Sequence, residues 1–426
     1  MISKNLKNIN PLVAPLMSLA LIVMSSAPFM TYISLRLQLA GFDEKIIGLT
    51  HSAFYAGFLI GSLKAENFIR KVGYVRSFAA FSALYAMTIL VQGIALKAVL
   101  WISMRLVAGI SLAAIYIIIE SWLLSNSTPK TRGKILSIYM IILYLSQSSS
   151  QLLIQIFPTE NIENFCIFGA ICAISIIPVT LYYGSVPQAS AEHLKKNIKD
   201  VIKRVPFSFS GAFASGVVLS TIYSFLAIYA KLKGLSPSII MAVTIAGGFI
   251  LQWPFGYLSD IFERRKVLIF ISLFMSIPSI LMIFDNYTPM TTYIFCFLIG
   301  GFSFTIYPIS ITQGCDRFDV AYIPYVIGVM SIAYSTGALI GPTLTSFFMD
   351  YLTSGVFLVI ALIAILLAIT GIYFTIKYPQ VIAKEDKTDY ITISPAIPLA
   401  KELDPRAYEN DIKNIIHNPD SPKNEK

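Results

Sequence analysis

Charge is what this 426-residue chain has least of: Asp, Glu, Lys and Arg make up 13% of it, against 56% hydrophobic residues. Soluble domains carry about a quarter charged residues, and a mean hydropathy of +0.72 leaves too little polar surface to face water on every side. An ordinary cytosolic enzyme, a nucleic-acid-binding protein and a disordered regulator are excluded on these grounds. Histidine is scarce too, three in all, too few to suggest a metal centre. The four cysteines, Cys166, Cys172, Cys296 and Cys315, lie in apolar runs without C-x-x-C spacing, so they read as packing residues. No G-x-x-x-x-G-K-[ST] loop occurs, which removes ATP as the direct energy source. No H-E-x-x-H or G-x-S-x-G lies in an apolar run, so an intramembrane enzyme is not expected, and no cofactor is implied.

What the chain has in abundance is long apolar runs. A bilayer core about 30 Å thick needs roughly 20 apolar helical residues. Charge-free runs of that size occur at 12–35, 46–63, 77–96, 135–157, 165–186, 207–230, 237–258, 267–284, 290–314, 324–348 and 354–376. A further run, 98–120, is broken by Arg105 and closed by Glu120. In lipid every backbone amide must bond within its own segment, so these runs are expected to be twelve helices. None alternates as a barrel strand would. Lys4 and Lys7 precede the first run, but it is too long for a signal peptide and continues past Ala27.

With an even span count both termini share one face. The even-numbered loops and the N-terminal arm hold eighteen Lys and Arg, whereas the opposite loops hold only Arg36, Lys45, Lys97, Lys231 and Lys233. The positive-inside rule therefore places both termini in the cytoplasm; the expected location is a plasma membrane, the inner one in a bacterium. The net charge of +9 is a topology marker, and no nucleic-acid partner is implied.

The basic stretch 187–206 divides the chain. An N-terminal six-helix bundle over 1–186, a cytoplasmic linker, a C-terminal six-helix bundle over 207–377 and a disordered cytoplasmic tail over 378–426 are expected. The halves look like a repeat, with Gly61-Ser62-Leu63 answered by Gly256-Tyr257-Leu258, each followed nine residues on by an arginine, Arg70 and Arg265. Parallel repeats of this kind place a solute site at their interface near the midplane.

The run Gly256-Tyr257-Leu258-Ser259-Asp260-Ile261-Phe262-Glu263-Arg264-Arg265 resembles the G-x-L-x-D-R-x-G-R-R loop of major facilitator superfamily transporters, and Arg105 to Gly109 resembles their R-x-x-x-G element. Glu120-Ser121-Trp122-Leu123, Gly73-Tyr74-Val75-Arg76, Tyr307-Pro308 and Gly337-Ala338-Leu339-Ile340-Gly341-Pro342 together resemble the poorly characterised YcaD-like branch. The resemblance covers 12–378. It implies an all-α membrane protein of twelve transmembrane helices in two pseudo-symmetric bundles, working by alternating access. Departures are visible: in the first-half loop Ala65 stands at the aspartate, Glu66 at the arginine after it and Ile69 at the first arginine of the closing pair, and span 5 lacks the G-x-x-x-G-P element of drug/proton antiporters.

The candidate residues follow from the cost of polar groups in lipid. Arg105 either meets an anionic solute or bonds to a neighbouring span and fixes packing. Glu120, at the cytoplasmic end of span 4, either pairs with Arg70, Lys71 or Arg76 as a gate strut or carries a proton; Asp316 is a second acid for coupling. Tyr144, Gln147, Gln151 and Gln155 share one helical face of span 5 and either line a cavity or bond between helices. Tyr223, Gln252 and Tyr307 complete the expected solute site. Asp260, with Arg264 and Arg265, is expected to accept bonds from the N-terminus of a neighbouring helix and so bias the gate. The expected partners are a small organic solute, protons as a possible coupling ion, and the bilayer, with the monomer as the working unit. Two alternatives stay open: a proton-driven drug or metabolite efflux pump, and a non-transporting membrane receptor or assembly protein.

Overall fold

The computed structural model describes residues 11–127, 131–156, 161–182, 198–284, 287–318, 322–377 and 390. The expected disordered tail therefore lies outside the described residues apart from Tyr390, and so does most of the linker. The helices are α1 (Val13–Leu39), α2 (Glu44–Val72), α3 (Tyr74–Ile94), α4 (Ala98–Ser125), α5 (Arg132–Ser150), α6 (Leu153–Ile156), α7 (Glu163–Ile174), α8 (Ile176–Thr180), α9 (Ile198–Arg204), α10 (Pro206–Leu232), α11 (Pro237–Ile261), α12 (Arg264–Leu281), α13 (Pro289–Cys315), α14 (Ile323–Met349) and α15 (Gly355–Lys377). At 1.5 Å per residue, the 27 residues of α10 reach about 40 Å, enough to cross a bilayer with its headgroups.

With α7 and α8 counted as one stretch, Glu163–Thr180, ten of the described helical segments are long and apolar enough to cross a membrane. The two remaining spans have identifiable reasons for falling short. Helix α12 is 18 residues long and opens on Arg264-Arg265-Lys266. Span 5 carries the run Ser146-Gln147-Ser148-Ser149-Ser150 and breaks into α5 and α6. There the Ser149 hydroxyl donates back to the Leu145 carbonyl at 2.6 Å and Ser150 to that of Gln147 at 3.3 Å, competing with the helical ladder. Span 6 breaks similarly into α7 and α8 at Ser175, whose carbonyl accepts from the buried Ser18 hydroxyl of α1 at 2.7 Å. Helix α2 runs well past its apolar stretch because Lys64 to Lys71 stay helical beyond the lipid.

The exterior of the bundle is apolar: Leu145, Leu152, Ile174, Ile250 and Leu366 all point outward and are exposed. A surface of this kind needs lipid against it. The interior is dense with small residues. Helices α2 and α4 approach so closely that a Cβ on Gly57 would strike the Leu106 carbonyl oxygen and one on Gly109 that of Phe54. Helices α11 and α13 repeat the arrangement, Gly247 against Phe297 and Gly300 against Thr244. These reciprocal contacts fix the register of the internal repeat: Gly57 answers Gly247, and Gly109 answers Gly300. The register read from Gly61 and Gly256 is displaced by about one helical turn, because a three-residue motif is too short to set it. Gly61 packs on Ile110 and Ala113, whereas Gly256 lies under the Tyr390 ring. In the corrected register Arg105 corresponds to Cys296, so its charge belongs to one half alone. Cys172, Cys296 and Cys315 are buried as expected, but Cys166 faces outward.

The two halves meet along α2 with α14 and α5 with α11. Among the described residues, the polar cross-connections given by the structure gather from mid-span towards one end. Lys45 pairs with Asp350 at 2.9 Å, Ser52 with Thr343 at 2.8 Å, Ser148 donates to the Ala242 carbonyl at 3.0 Å and Gln155 to Ser236 at 3.1 Å.

Candidate functional site

Between the halves lies a cavity of about 100 Å³, lined by side chains from α1, α2, α4, α5, α10, α13 and α14. Its walls are mostly rings and thioether: Met30, Phe54, Tyr55, Phe58, Tyr116, Tyr223, Phe304 and Tyr334. Polar character comes from Ser26, Gln147, Ser335 and the tyrosine hydroxyls, and no charged side chain is among the described lining residues. A water takes a share of about 30 Å³ in the liquid, so the space takes roughly three waters, or one small ring-bearing molecule.

Two of the expected solute residues line this cavity. Gln147 and Tyr223 face each other across the interface, the Gln147 Nε2 donating to the Tyr223 hydroxyl at 2.7 Å. They are the one lining pair among the described residues whose hydrogen bond bridges the halves in the middle of the spans. Tyr144 is buried beside it, its ring 5.7 Å from both Phe249 and Phe304. Tyr307 sits further back, bonded to Ser331 at 3.0 Å and edge-on to Tyr334 at 5.1 Å. It positions a wall ring and is not itself in the wall.

Gln151 and Gln252 take the interhelical alternative. The buried Thr31 hydroxyl of α1 donates to the Gln151 Oε1 at 3.0 Å, and Gln252 of α11 donates to the Phe304 carbonyl of α13 at 3.5 Å. Neither lines the cavity.

Arg105 is fully buried and lies behind the cavity wall. Its guanidinium is held by the faces of Phe29 and Phe54, 5.0 and 5.3 Å from the ring centroids, and by the Met30 sulfur at 3.2 Å. Ring quadrupoles supply the negative potential that a carboxylate would otherwise give. Met30 and Phe54 also line the cavity, so these two side chains separate the charge from the solute space. The expectation that Arg105 meets the solute directly is therefore not met in this conformation. His51, also buried, bonds to Ser34 at 2.7 Å as a packing histidine does.

The gating residues fall into separate groups. Glu120 is fully buried and accepts from the Tyr139 hydroxyl at 3.1 Å. Arg70, by contrast, pairs with Glu66 of its own helix at 3.3 Å, on an exposed surface, and Arg76 is exposed at the start of α3. A Glu120 strut to Arg70 is not what the structure builds. In the C-terminal half Arg264 brings two acids together: it pairs with Asp260 at 2.8 Å and with the buried Asp316. Asp260 accepts in addition from the backbone N–H of Tyr390 at 3.1 Å, so its amide partner comes from the tail and not from a helix N-terminus. Arg265 donates to the Phe374 carbonyl at 3.5 Å.

The sequence reading missed Tyr55, Phe54, Phe58, Phe304 and Tyr334 as cavity walls. A signal was present in the tyrosines, since a phenol at mid-span needs a wet or polar neighbour. Phenylalanine carries none, because in lipid it serves equally well inside or outside a bundle. No group of His, Cys, Asp and Glu that would hold a metal occurs among the described residues.

Comparison with known proteins agrees with this architecture. The chain is 29% identical over 360 residues to an uncharacterised MFS-type transporter of Yersinia pestis, covering 83% of this chain and 93% of the relative. It is 28% identical over 349 residues to the uncharacterised MFS-type transporter YcaD of Escherichia fergusonii, covering 80% and 89%. Among solved structures, the nucleoside transporter NupG superposes with a TM-score of 0.74 at 14% identity, over 87% of this chain and all of that one. An inward-facing, occupied bacterial homologue of the human lysosomal transporter Spinster gives 0.70 at 14%, over 88% and 97%. The model of the Major Facilitator Superfamily matches residues 16–253 and again 237–419. An integral membrane transporter fold, an interfacial cavity and a family match over nearly the whole chain give one conclusion: the chain belongs to the Major Facilitator Superfamily.

Proposed function

We propose that the protein is a secondary active transporter that moves a small, uncharged, ring-bearing organic solute by alternating access. The observation that carries this reading is the cavity wall, where, among the described lining residues, rings surround one amide–phenol pair and no side chain is charged. Aromatic faces bind flat rings by stacking, and Gln147 with Tyr223 offers a donor and an acceptor to orient one. An anionic solute would need Met30 and Phe54 to swing aside before Arg105 reached it, so anions are the less favoured class.

With the termini in the cytoplasm, the end joined by Lys45–Asp350 and Ser52–Thr343 is external. The two bundles, 1–186 and 207–377, rock about the cavity, with the linker 187–206 as the tether. Each copy carries a full cavity, so the monomer is the working unit in the inner membrane. Glu120 is the acid we assign to proton coupling, because it is buried within a span and bonded to a phenol. Asp316 is bound to Arg264 and serves the gate.

Proteoliposomes test the reading. Saturable flux of uncharged single-ring compounds, outcompeting carboxylates of the same size, is expected. Preferential transport of the carboxylates would overturn the cavity argument. Flux that persists unchanged after the pH gradient is collapsed, or in Glu120→Gln, would remove the proton role.

A further inference from the structure

Gly256 lies towards the end of α11 opposite Ser236, and a Cβ there would sit 2.1 Å from the Tyr390 ring. The ring of this tail residue therefore rests directly on helix backbone, an approach that glycine alone permits. One turn further on, the Oδ1 of Asp260 accepts from the Tyr390 backbone N–H at 3.1 Å and from Arg264 at 2.8 Å. Gly61, which Gly256 echoes in sequence, instead packs against Ile110 and Ala113 of α4, its own half. In the second half the corresponding gap takes in a ring from outside the bundle.

The face of α11 that the ring covers decides what it can do. Ala242, Phe249 and Gly256 are spaced by sevens, two turns apart at 100° per residue, so they form one stripe. That stripe is the seam with α5 of the other half. The Ala242 carbonyl accepts from Ser148 at 3.0 Å, and the Phe249 ring lies 5.7 Å from that of Tyr144. The order of these contacts makes the two helices antiparallel. Ser137 and Ile141 carry the Tyr144–Ser148 face of α5 on towards the Gly256 end, and both are exposed, Ile141 by 44%. At Gly256 the stripe is buried under Tyr390. The tail thus occupies the place on α11 that α5 holds two and four turns earlier. Tyr390 follows Lys377, the last residue of α15, by thirteen positions. At about 3.3 Å or more each these reach about 43 Å, several helix diameters, so the chain's own tail has the length to arrive there.

We propose that the tail around Tyr390 is a wedge, seated on Gly256 and Asp260 between the two halves. With the ring in place α5 cannot close onto α11 at this end, while the opposite end stays joined by Lys45–Asp350 and Ser52–Thr343. The tail therefore weights the equilibrium towards the state open on its own side, and each cycle requires it to leave its seat. One ring and one hydrogen bond make a seat small enough to be left. Asp260 links it to the gate, because the oxygen that holds the tail also holds Arg264. The wedge rests on the rocking of two bundles proposed above.

Two measurements on the full chain test this. Hydrogen exchange with mass spectrometry reads the peptide spanning Tyr390. Gly256→Ala favours the helix and puts a methyl where the ring sits, so exchange at Tyr390 should speed up about tenfold or more. Unchanged exchange would overturn the seat. With the native cysteines replaced, spin labels at Ser137→Cys and Tyr257→Cys, exposed positions on α5 and α11, report the gap by double electron–electron resonance. Tyr390→Ser, which alters neither bundle, should raise the population at the shorter distance about fivefold or more. Gly48→Val, which crowds the opposite end, should shorten the same distance and serves as the control. Shortening in Gly48→Val but not in Tyr390→Ser would overturn the wedge and leave the rocking intact; shortening in neither would overturn both. Neither readout uses a solute, so an error in the solute class moves neither.

Discussion

Gly48 of α2 lies where the two halves close on each other, and a side chain there has no room. A Cβ at this position would sit 2.8 Å from the Pro342 carbonyl oxygen and 2.8 Å from both Cβ and Oγ of Ser346. Backbone oxygen cannot swing away as a side-chain tip can, so Gly48→Val overpacks the closed end at a cost of about 1–3 kcal/mol. In a conformation with this end open the two helices part and the cost disappears. The substitution should therefore move the population towards the open-ended state by about 5- to 150-fold. Ser52, one turn along α2, reports the change: it is 4% exposed and bonded to Thr343 across the same seam. With the four native cysteines replaced and Ser52→Cys introduced, a membrane-impermeant maleimide applied outside should label slowly. Adding Gly48→Val should raise the labelling rate in proportion to the opened population. An unchanged rate, in protein that still folds and inserts, would refute the account of this end as a closing gate.

Other consequences are as direct. Tyr223→Phe removes the acceptor of the Gln147 amide at the wall of the cavity, where water can take its place; expression and melting temperature should hold while half-saturation of flux rises several-fold. Arg264→Ala leaves Asp316 charged at 3% exposure, a loss of about 3–5 kcal/mol for a buried pair. Thermal unfolding in detergent should show it, and Arg264→Met combined with Asp316→Leu should recover most of the loss; failure to recover would mean the pair is not what holds α12 to α13. A reporter fused after Lys97 should read external, and a cytoplasmic label there would reverse every assignment of sidedness made from loop charge.

Much of this protein was legible before any coordinates. Twelve greasy runs and the placement of arginines and lysines are local properties: lipid solvates each helix separately, so length and hydropathy decide each one alone. The superfamily followed from the same local text, because its signatures sit in loops and single turns. The repeat register did not, since it depends on which glycines of two distant helices touch. Gly57, Gly109, Gly247 and Gly300 declare themselves only when Leu106, Phe54, Phe297 and Thr244 offer their carbonyls.

The polar residues divide in the same way. That Gln147, Gln151 and Gln252 needed partners was a matter of amide chemistry, readable from sequence. Which of them lines the cavity was decided by helix rotation, which turns Gln147 to it and Gln151 to Thr31. Arg105 is the clearest case. Sequence made it costly and therefore buried within the bundle, but left its partner open. Packing supplied two rings and a thioether, a solution in which the groups that neutralise a cation come from α1 and α2 and carry no charge of their own to be noticed. Local chemistry fixes what a residue requires, and only the folded arrangement, where distant segments become neighbours, fixes what it gets.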